Sequence, residues 1–357
     1  MIKKECFTAE WIEQVSSELH YNDKNLIEKV IRALSLLEML VKAGCPLVFK
    51  GGTALMLILG KSAHRLSIDI DLICPPGTNI EDYLKSFADF GFINLELVER
   101  KQRDDADIPK SHSKFFYQIA YRNDTDAQSY ILLDVLYEDI HYFRTQQIAI
   151  NCPFIRLEGK PLMVTVPSAE DILGDKLTAF APNTTGIPYY RNGRSCSMEI
   201  AKQLYDVGRL FENVSDLQIT KEAFRKIAVV ELSYRSFGTD IGQGFNDIRQ
   251  TALCISTRGK AGEGDFDLIQ DGIIRVKSFM YKQRYLIDHA IIDAARAAYL
   301  ATLIEKGINE IESYSNNPAD IKDMVIRPSL PNKLNKLRSN LPEAYYYWAK
   351  TSELLEA

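Results

Sequence analysis

The chain's hydrophobic pattern divides it into two unlike halves. From Asn25 to Ala43, Leu26, Ile27, Val30, Ile31, Leu34, Leu37 and Leu40 recur at spacings of three and four, which predicts an amphipathic helix ending at Gly44. Pro46 to Phe49 reads as a short strand, and Lys50-Gly51-Gly52-Thr53 turns it into a helical run, Ala54 to Leu59. Ser67 to Ile73 then alternates polar and apolar residues up to Pro75-Pro76-Gly77, the period-two signature of a strand with one apolar and one acidic face. Further strands are expected at Phe92 to Glu99, Phe115 to Tyr121, Tyr130 to Tyr137 and Leu162 to Val166, with a helix at Ile80 to Phe90.

From Ser168 onward the period changes to that of helices. Ser168-Ala169-Glu170-Asp171 opens one, and others are expected near 198–212, 221–235, 240–256, 264–282 and 286–314, with loops at Pro182 to Ser197 and Arg327 to Pro342. The fold class is therefore α+β. Residues 1–166 form a domain with a mixed β-sheet flanked by helices, and residues 167–357 form a mostly helical domain.

Composition narrows the function classes. With 357 residues, 46% hydrophobic and 25% charged, the chain is long and apolar enough to bury a large core. The formal net charge of -5 supplies no bulk attraction to a polyanion, so contact with nucleic acid would need a local patch. No run reaches the roughly 18 apolar residues of a membrane-spanning helix, and MIKKECFTAEWIEQ lacks the apolar segment of a secretory signal. A cytoplasmic protein without membrane association is expected. The six cysteines and five histidines are dispersed, with no zinc-like spacing and no nucleophilic triad, so the thiols read as reduced core filler.

The chemistry concentrates around the acidic strand. Asp69 and Asp71 are two apart, so in a strand their side chains leave the same face about 7 Å apart and can converge on one hard cation. Asp134, inside the apolar run Tyr130 to Tyr137, is the candidate third acid, either completing a second-ion site or activating an acceptor hydroxyl. Upstream, the glycines of Lys50-Gly51-Gly52-Thr53 permit a tight turn, and the helix that follows offers unpaired N–H groups to a phosphate. Arg65 can clamp phosphate, and strand parity places Ser67 on the side of Asp69 and Asp71. A dinucleotide-dependent oxidoreductase is disfavoured because no GxGxxG opens a βαβ unit.

Together, Phe49-Lys50-Gly51-Gly52-Thr53-Ala54-Leu55 and Arg65-Leu66-Ser67-Ile68-Asp69-Ile70-Asp71-Leu72 closely resemble the signature of the DNA polymerase beta-like nucleotidyltransferases, specifically the AbiEii/AbiGii toxin family. The likeness continues through Ser168 to Leu177 and Glu199 to Val207, covering roughly residues 45 to 212. Gly-Gly-Thr stands where the wider superfamily often has Gly-Ser, which leaves open whether Thr53 supplies the hydroxyl.

The resemblance implies transfer of NMP from an NTP, helped by Mg²⁺ or Mn²⁺ on Asp69, Asp71 and Asp134, with Lys50, Gly51, Gly52, Thr53, Arg65, Ser67 and Lys176 binding nucleotide. It implies roles for Lys176 and Asp206, contributed to the site by the helical domain. On the residues alone, Lys176 could equally be a solvated lysine, and Asp206 the partner of Lys202 in an ordinary i,i+4 pair. The resemblance further implies a toxin of a toxin–antitoxin or phage abortive-infection system, a separately encoded antitoxin, and the tRNA acceptor end as acceptor. The alternatives are a small-molecule or protein hydroxyl as acceptor, or a non-catalytic binding module of the same fold. Tyr189, Tyr190, Arg191 and Arg194, in a stretch without acids, could stack a base and hold phosphate, or form a plain surface loop.

Overall fold

A computed structural model gives the protein a mixed α+β architecture, described here for residues 1–98, 110–121, 127–214, 216–234 and 240–357. The ends of two expected elements, Glu99 of a strand and residue 235 of a helix, lie outside the described residues. The chain runs α1 (Ala9–Glu18), α2 (Lys24–Lys42), β1 (Val48–Lys50), α3 (Gly51–Leu59), β2 (Ile70–Cys74), β3 (Asn94–Val98), β4 (Lys110–Gln118), β5 (Gln128–Tyr137), β6 (Thr145–Ala149) and β7 (Met163–Pro167). There follow α4 (Ala169–Ala179), β8 (Tyr190–Arg191), β9 (Arg194–Ser195), α5 (Ser197–Phe211), α6 (Leu217–Tyr234), α7 (Gly242–Ser256), α8 (Phe266–Val276), α9 (Ile287–Lys306), α10 (Leu337–Asn340) and α11 (Pro342–Glu356).

The chain resolves into two compact units, one of residues 1–168 with 278–284, the other of 169–277 with 285–357. In the first, strands pair in the order β1-β2-β5-β4-β3, β2 parallel to β5 and every other pair antiparallel. Alternation decides the faces: Ile131, Leu133 and Val135 of β5 and Phe115 and Tyr117 of β4 are buried, while Leu132, Asp134, His112 and Lys114 stay partly open. The buried face shares one core with α2, whose Ile27, Val30, Ile31, Leu34 and Leu37 are fully buried.

Where sequence expectation and structure differ, hydrogen bonding supplies the reason. Ile80 to Phe90 is two 3₁₀ segments, Ile80–Tyr83 and Phe87–Phe90, because Asp82, Leu84, Phe87 and Asp89 each bond to the carbonyl three residues back. The strand Thr145–Ala149 was not expected; it pairs with β7 apart from the main sheet. The α-helix of the expected 264–282 ends at Val276, the 3₁₀ turn Lys277–Phe279 follows, and residues 278–284 belong to the first unit. There Phe279 O accepts from Leu66 N (2.8 Å), Tyr281 N donates to His64 O (3.0 Å) and the Tyr281 hydroxyl to Ala63 O. The helix expected over 286–314 stops at Gly307, whose positive φ of 76° caps α9.

In the second unit α4 packs tightly on α6. A Cβ at Gly174 would lie 2.8 Å from both Thr220 O and Phe224 N, backbone atoms that cannot swing aside. Gly174→Ala should therefore destabilise the unit by about 1–3 kcal/mol, although alanine is the better helix former. Thermal or urea unfolding checks this; an unchanged midpoint would show that the two helices are not held so closely.

Candidate active site

The open end of the five-stranded sheet gathers most of the chemistry expected from the sequence. α3 begins at Gly51, directly after β1, and its N-cap Lys50 makes no side-chain cap. Gly51 has φ +78°, and a Cβ there would stand 2.1 Å from Asp71 Oδ2. The Asp71 carboxylate thus lies directly against the turn, in space only a glycine leaves open. At Gly52 the atoms nearest a hypothetical Cβ are Ser67 Oγ (2.7 Å) and Arg65 Nη2 (2.9 Å). Ser67, Arg65 and Asp71 therefore converge on two consecutive glycines.

Asp69 precedes β2 rather than lying within it, and Thr53 Oγ1 donates to its backbone carbonyl at 2.7 Å. The Thr53 hydroxyl is committed to that tie, which locks α3 to the acidic segment. Arg65 is buried; its Nη1 donates to Leu66 O (3.0 Å), and its backbone forms a bridge with Met280. The crossing segment 278–284 thus fixes the stretch that carries Arg65.

Sheet register brings Asp134 in. Lys50 pairs with Asp71, Asp71 with Asp134 and Asp134 with His112, so these four residues form one row across β1, β2, β5 and β4. Residues paired in this way project from the same face. His112 Nδ1 lies 2.5 Å from Asp134 Oδ1. No sequence signal marked His112, because its partner is 22 positions away and only register unites them.

Among the described residues, no three His, Cys, Asp or Glu side chains are drawn together tightly enough to enclose a metal ion. The donor set is carboxylate oxygen on a partly open face, with Asp69, Asp71 and Asp134 each half-buried. That fits a hard divalent cation, which keeps several waters and takes its remaining ligands from one or two carboxylates and substrate phosphates.

Within the second unit, Lys176 on α4 and Asp206 on α5 form a buried ion pair, Nζ to Oδ2 3.0 Å, with side chains 8% and 2% exposed. Lys176 Nζ also donates to Gln203 Oε1 at 2.9 Å. The expected stacking loop is a β8–β9 hairpin whose tip, Asn192-Gly193, has two positive φ values, 51° and 74°. It exposes Tyr190, Arg191 and Arg194. Tyr189 has its hydroxyl buried, while the residue as a whole is only partly buried.

A family model described as nucleotidyl transferase AbiEii toxin of type IV toxin–antitoxin systems matches residues 34–319, bearing out the resemblance read from the motifs. Among curated proteins, none matches the chain. Among solved structures, JHP933 from Helicobacter pylori is similar at 15% identity, covering 86% of this chain and 95% of that one with a TM-score of 0.38. MenT4, a nucleotidyltransferase toxin from Mycobacterium tuberculosis, is similar at 14% identity, covering 82% and 89% with a TM-score of 0.42.

The glycine turn generates a paired prediction. Gly51→Ala meets both a positive φ and the Asp71 carboxylate, whereas Gly44→Ala meets φ +76° with no atom within 4 Å. Both should lose about 1–2 kcal/mol of stability from backbone strain. Only Gly51→Ala should also lose triphosphate binding, by at least about tenfold, roughly 1.4 kcal/mol. Calorimetric titration with a non-hydrolysable NTP separates the two; equal binding by both variants would remove Gly51 from the site.

Proposed function

The chain belongs to the AbiEii nucleotidyltransferase toxins of type IV toxin–antitoxin systems, and on that premise we propose that it moves NMP from an NTP to the hydroxyl of an RNA acceptor, the tRNA acceptor end. The observation that carries this reading is the convergence of Asp71, Ser67 and Arg65 on the Gly51-Gly52 turn at the start of α3. A helix N-terminus and a guanidinium bind phosphate, while the carboxylate beside them demands a cation between.

In this reading the first-turn N–H groups and Arg65 hold the triphosphate, and Lys50, across from Asp71, flanks the acids. Asp69, Asp71 and Asp134 would hold Mg²⁺ or Mn²⁺, which when bound neutralises phosphate charge and orients the reacting groups. The acceptor oxygen bonds to the α-phosphorus, the bond to pyrophosphate breaks, and the hydroxyl proton passes to a carboxylate of this set. Arg65 stabilises charge gathering on pyrophosphate. Lys176 and Asp206 are assigned to the reaction by their match to the family's later motifs. Exposed Tyr190, Arg191 and Arg194 supply an RNA contact of aromatic and guanidinium character. A separately encoded antitoxin restrains the activity, whose role is phage defence by abortive infection. No helix among the described residues is long and apolar enough to cross a membrane.

Pure protein incubated with each labelled NTP, Mg²⁺ or Mn²⁺ and total RNA should label the tRNA fraction. Asp69→Asn and Asp71→Asn should each abolish labelling while remaining folded. Label appearing in a small acceptor or in protein would replace RNA as the acceptor; no label with any nucleotide and either metal would reject transfer.

The Lys176–Asp206 pair separates structure from chemistry. Lys176→Met alone leaves a buried carboxylate without its partner and should cost about 3–5 kcal/mol. Lys176→Met with Asp206→Leu removes both charges and should recover most of that stability without recovering transfer. A stable double variant with full activity would make the pair purely structural.

A further inference from the structure

The row Lys50–Asp71–Asp134–His112 poses an electrostatic problem that its own ends answer. Asp71 and Asp134 are directly paired on neighbouring parallel strands, whose backbones run about 4.8 Å apart. Like charges placed opposite one another in a sheet destabilise it. Lys50 stands beside Asp71 at one end, and His112 beside Asp134 at the other. A carboxylate oxygen only accepts, so in the 2.5 Å contact Nδ1 of His112 carries the hydrogen and donates to Asp134 Oδ1. The His112 side chain is 12% exposed and that of Asp134 35%, so the histidine is packed and the acid reaches solvent.

We propose that His112 is a positioning residue for the acidic site: its Nδ1–H fixes one oxygen of Asp134 and thereby aims the other, Oδ2, at the cation shared with Asp71. The inference rests on the metal-dependent transfer proposed above and adds a residue that touches neither substrate nor ion. A free aspartate samples several χ rotamers, most of which turn Oδ2 away from its neighbour. A packed donor on the adjacent strand selects one. Metal-ligating carboxylates are commonly oriented by such outer partners, whose loss typically costs 10–100-fold in metal affinity or activity.

Three substitutions place the donor differently. His112→Asn keeps an N–H where Nδ1 stands, His112→Gln moves it outward to the place of Nε2, and His112→Leu removes it while retaining bulk. Two readouts are taken on the full chain, with unfolding midpoints recorded for each variant. One is kcat and the KM for NTP in RNA labelling; the other is Mn²⁺ uptake, followed as loss of the free Mn²⁺ paramagnetic resonance signal with a non-hydrolysable triphosphate present. His112→Asn should stay within about threefold of wild type in both. His112→Gln and His112→Leu should lose about 10–100-fold in kcat at little-changed KM for NTP, and should weaken Mn²⁺ uptake as Asp134→Asn does.

In an Asp134→Asn background, His112→Leu should add nothing further, because the two act as one unit. His112→Asn failing as badly as His112→Leu, or His112→Leu matching wild type in both readouts, would overturn the proposal. So would a wild-type protein that takes up no Mn²⁺. If the wild type takes up Mn²⁺ yet labels no acceptor, the transfer reading fails, and the Mn²⁺ series alone still decides the role of His112.

Discussion

The first unit depends on one close approach, the Asp71 carboxylate lying against Gly51. A methyl group there would overlap Oδ2, so position 51 must be glycine both for its φ of +78° and for the volume it leaves empty. Several features follow from that contact. α3 starts immediately after β1 with no loop between them, so its first-turn N–H groups emerge beside an acid rather than away from it. The Thr53 hydroxyl then ties α3 to Asp69. A carboxylate beside the electropositive end of a helix is favourable by itself, typically 0.3–1 kcal/mol.

The phosphate side of the site is assembled from distant parts of the sequence. Arg65 is buried because residues 278–284 leave the helical part of the chain and lie along residues 61–66. Three backbone and side-chain bonds, from Leu66 to Phe279 and from Tyr281 to His64 and Ala63, span more than 200 positions each. Tyr281 also packs its ring on Phe154, 5.2 Å between centroids. Closing so long a loop is entropically costly and slow, though the cost grows only logarithmically with length.

How much of this was legible in the sequence depends on the distance over which each signal acts. The helix Lys24–Lys42, the glycine turn and the alternating strands β2 and β5 follow from local periodicity, and their edges fall within a few residues of expectation. Asp69, Asp71 and Asp134 stood out because acids inside apolar runs contradict the pattern around them. The segment 278–284 was hidden: Phe279 and Tyr281 sit at spacings that suit the preceding helix, which instead gives way to the 3₁₀ turn Lys277–Phe279 and to pairing with residues 63–66. His112 was hidden for a related reason, since one histidine in a strand carries no message until β4 and β5 are set in register. Tyr189 and Tyr190 show the opposite limit. Tyr189 lies just before β8 with its hydroxyl buried, while Tyr190 opens the strand and is exposed, and composition could not say which would face outward.

The two groups of ionisable residues singled out by sequence obey different energetics, and this separates what each can do. Lys176 and Asp206 are almost fully buried, so their charges have lost their water and depend on one another and on Gln203. Removing either is costly whether or not the pair takes part in chemistry, and stability alone therefore says little about its role. Asp71 and Asp134 are the reverse: half-open to water, adjacent, and of the same sign. Solvent screening makes their mutual repulsion modest. Two like charges paired beside the Gly51 turn are what the proposed cation would neutralise.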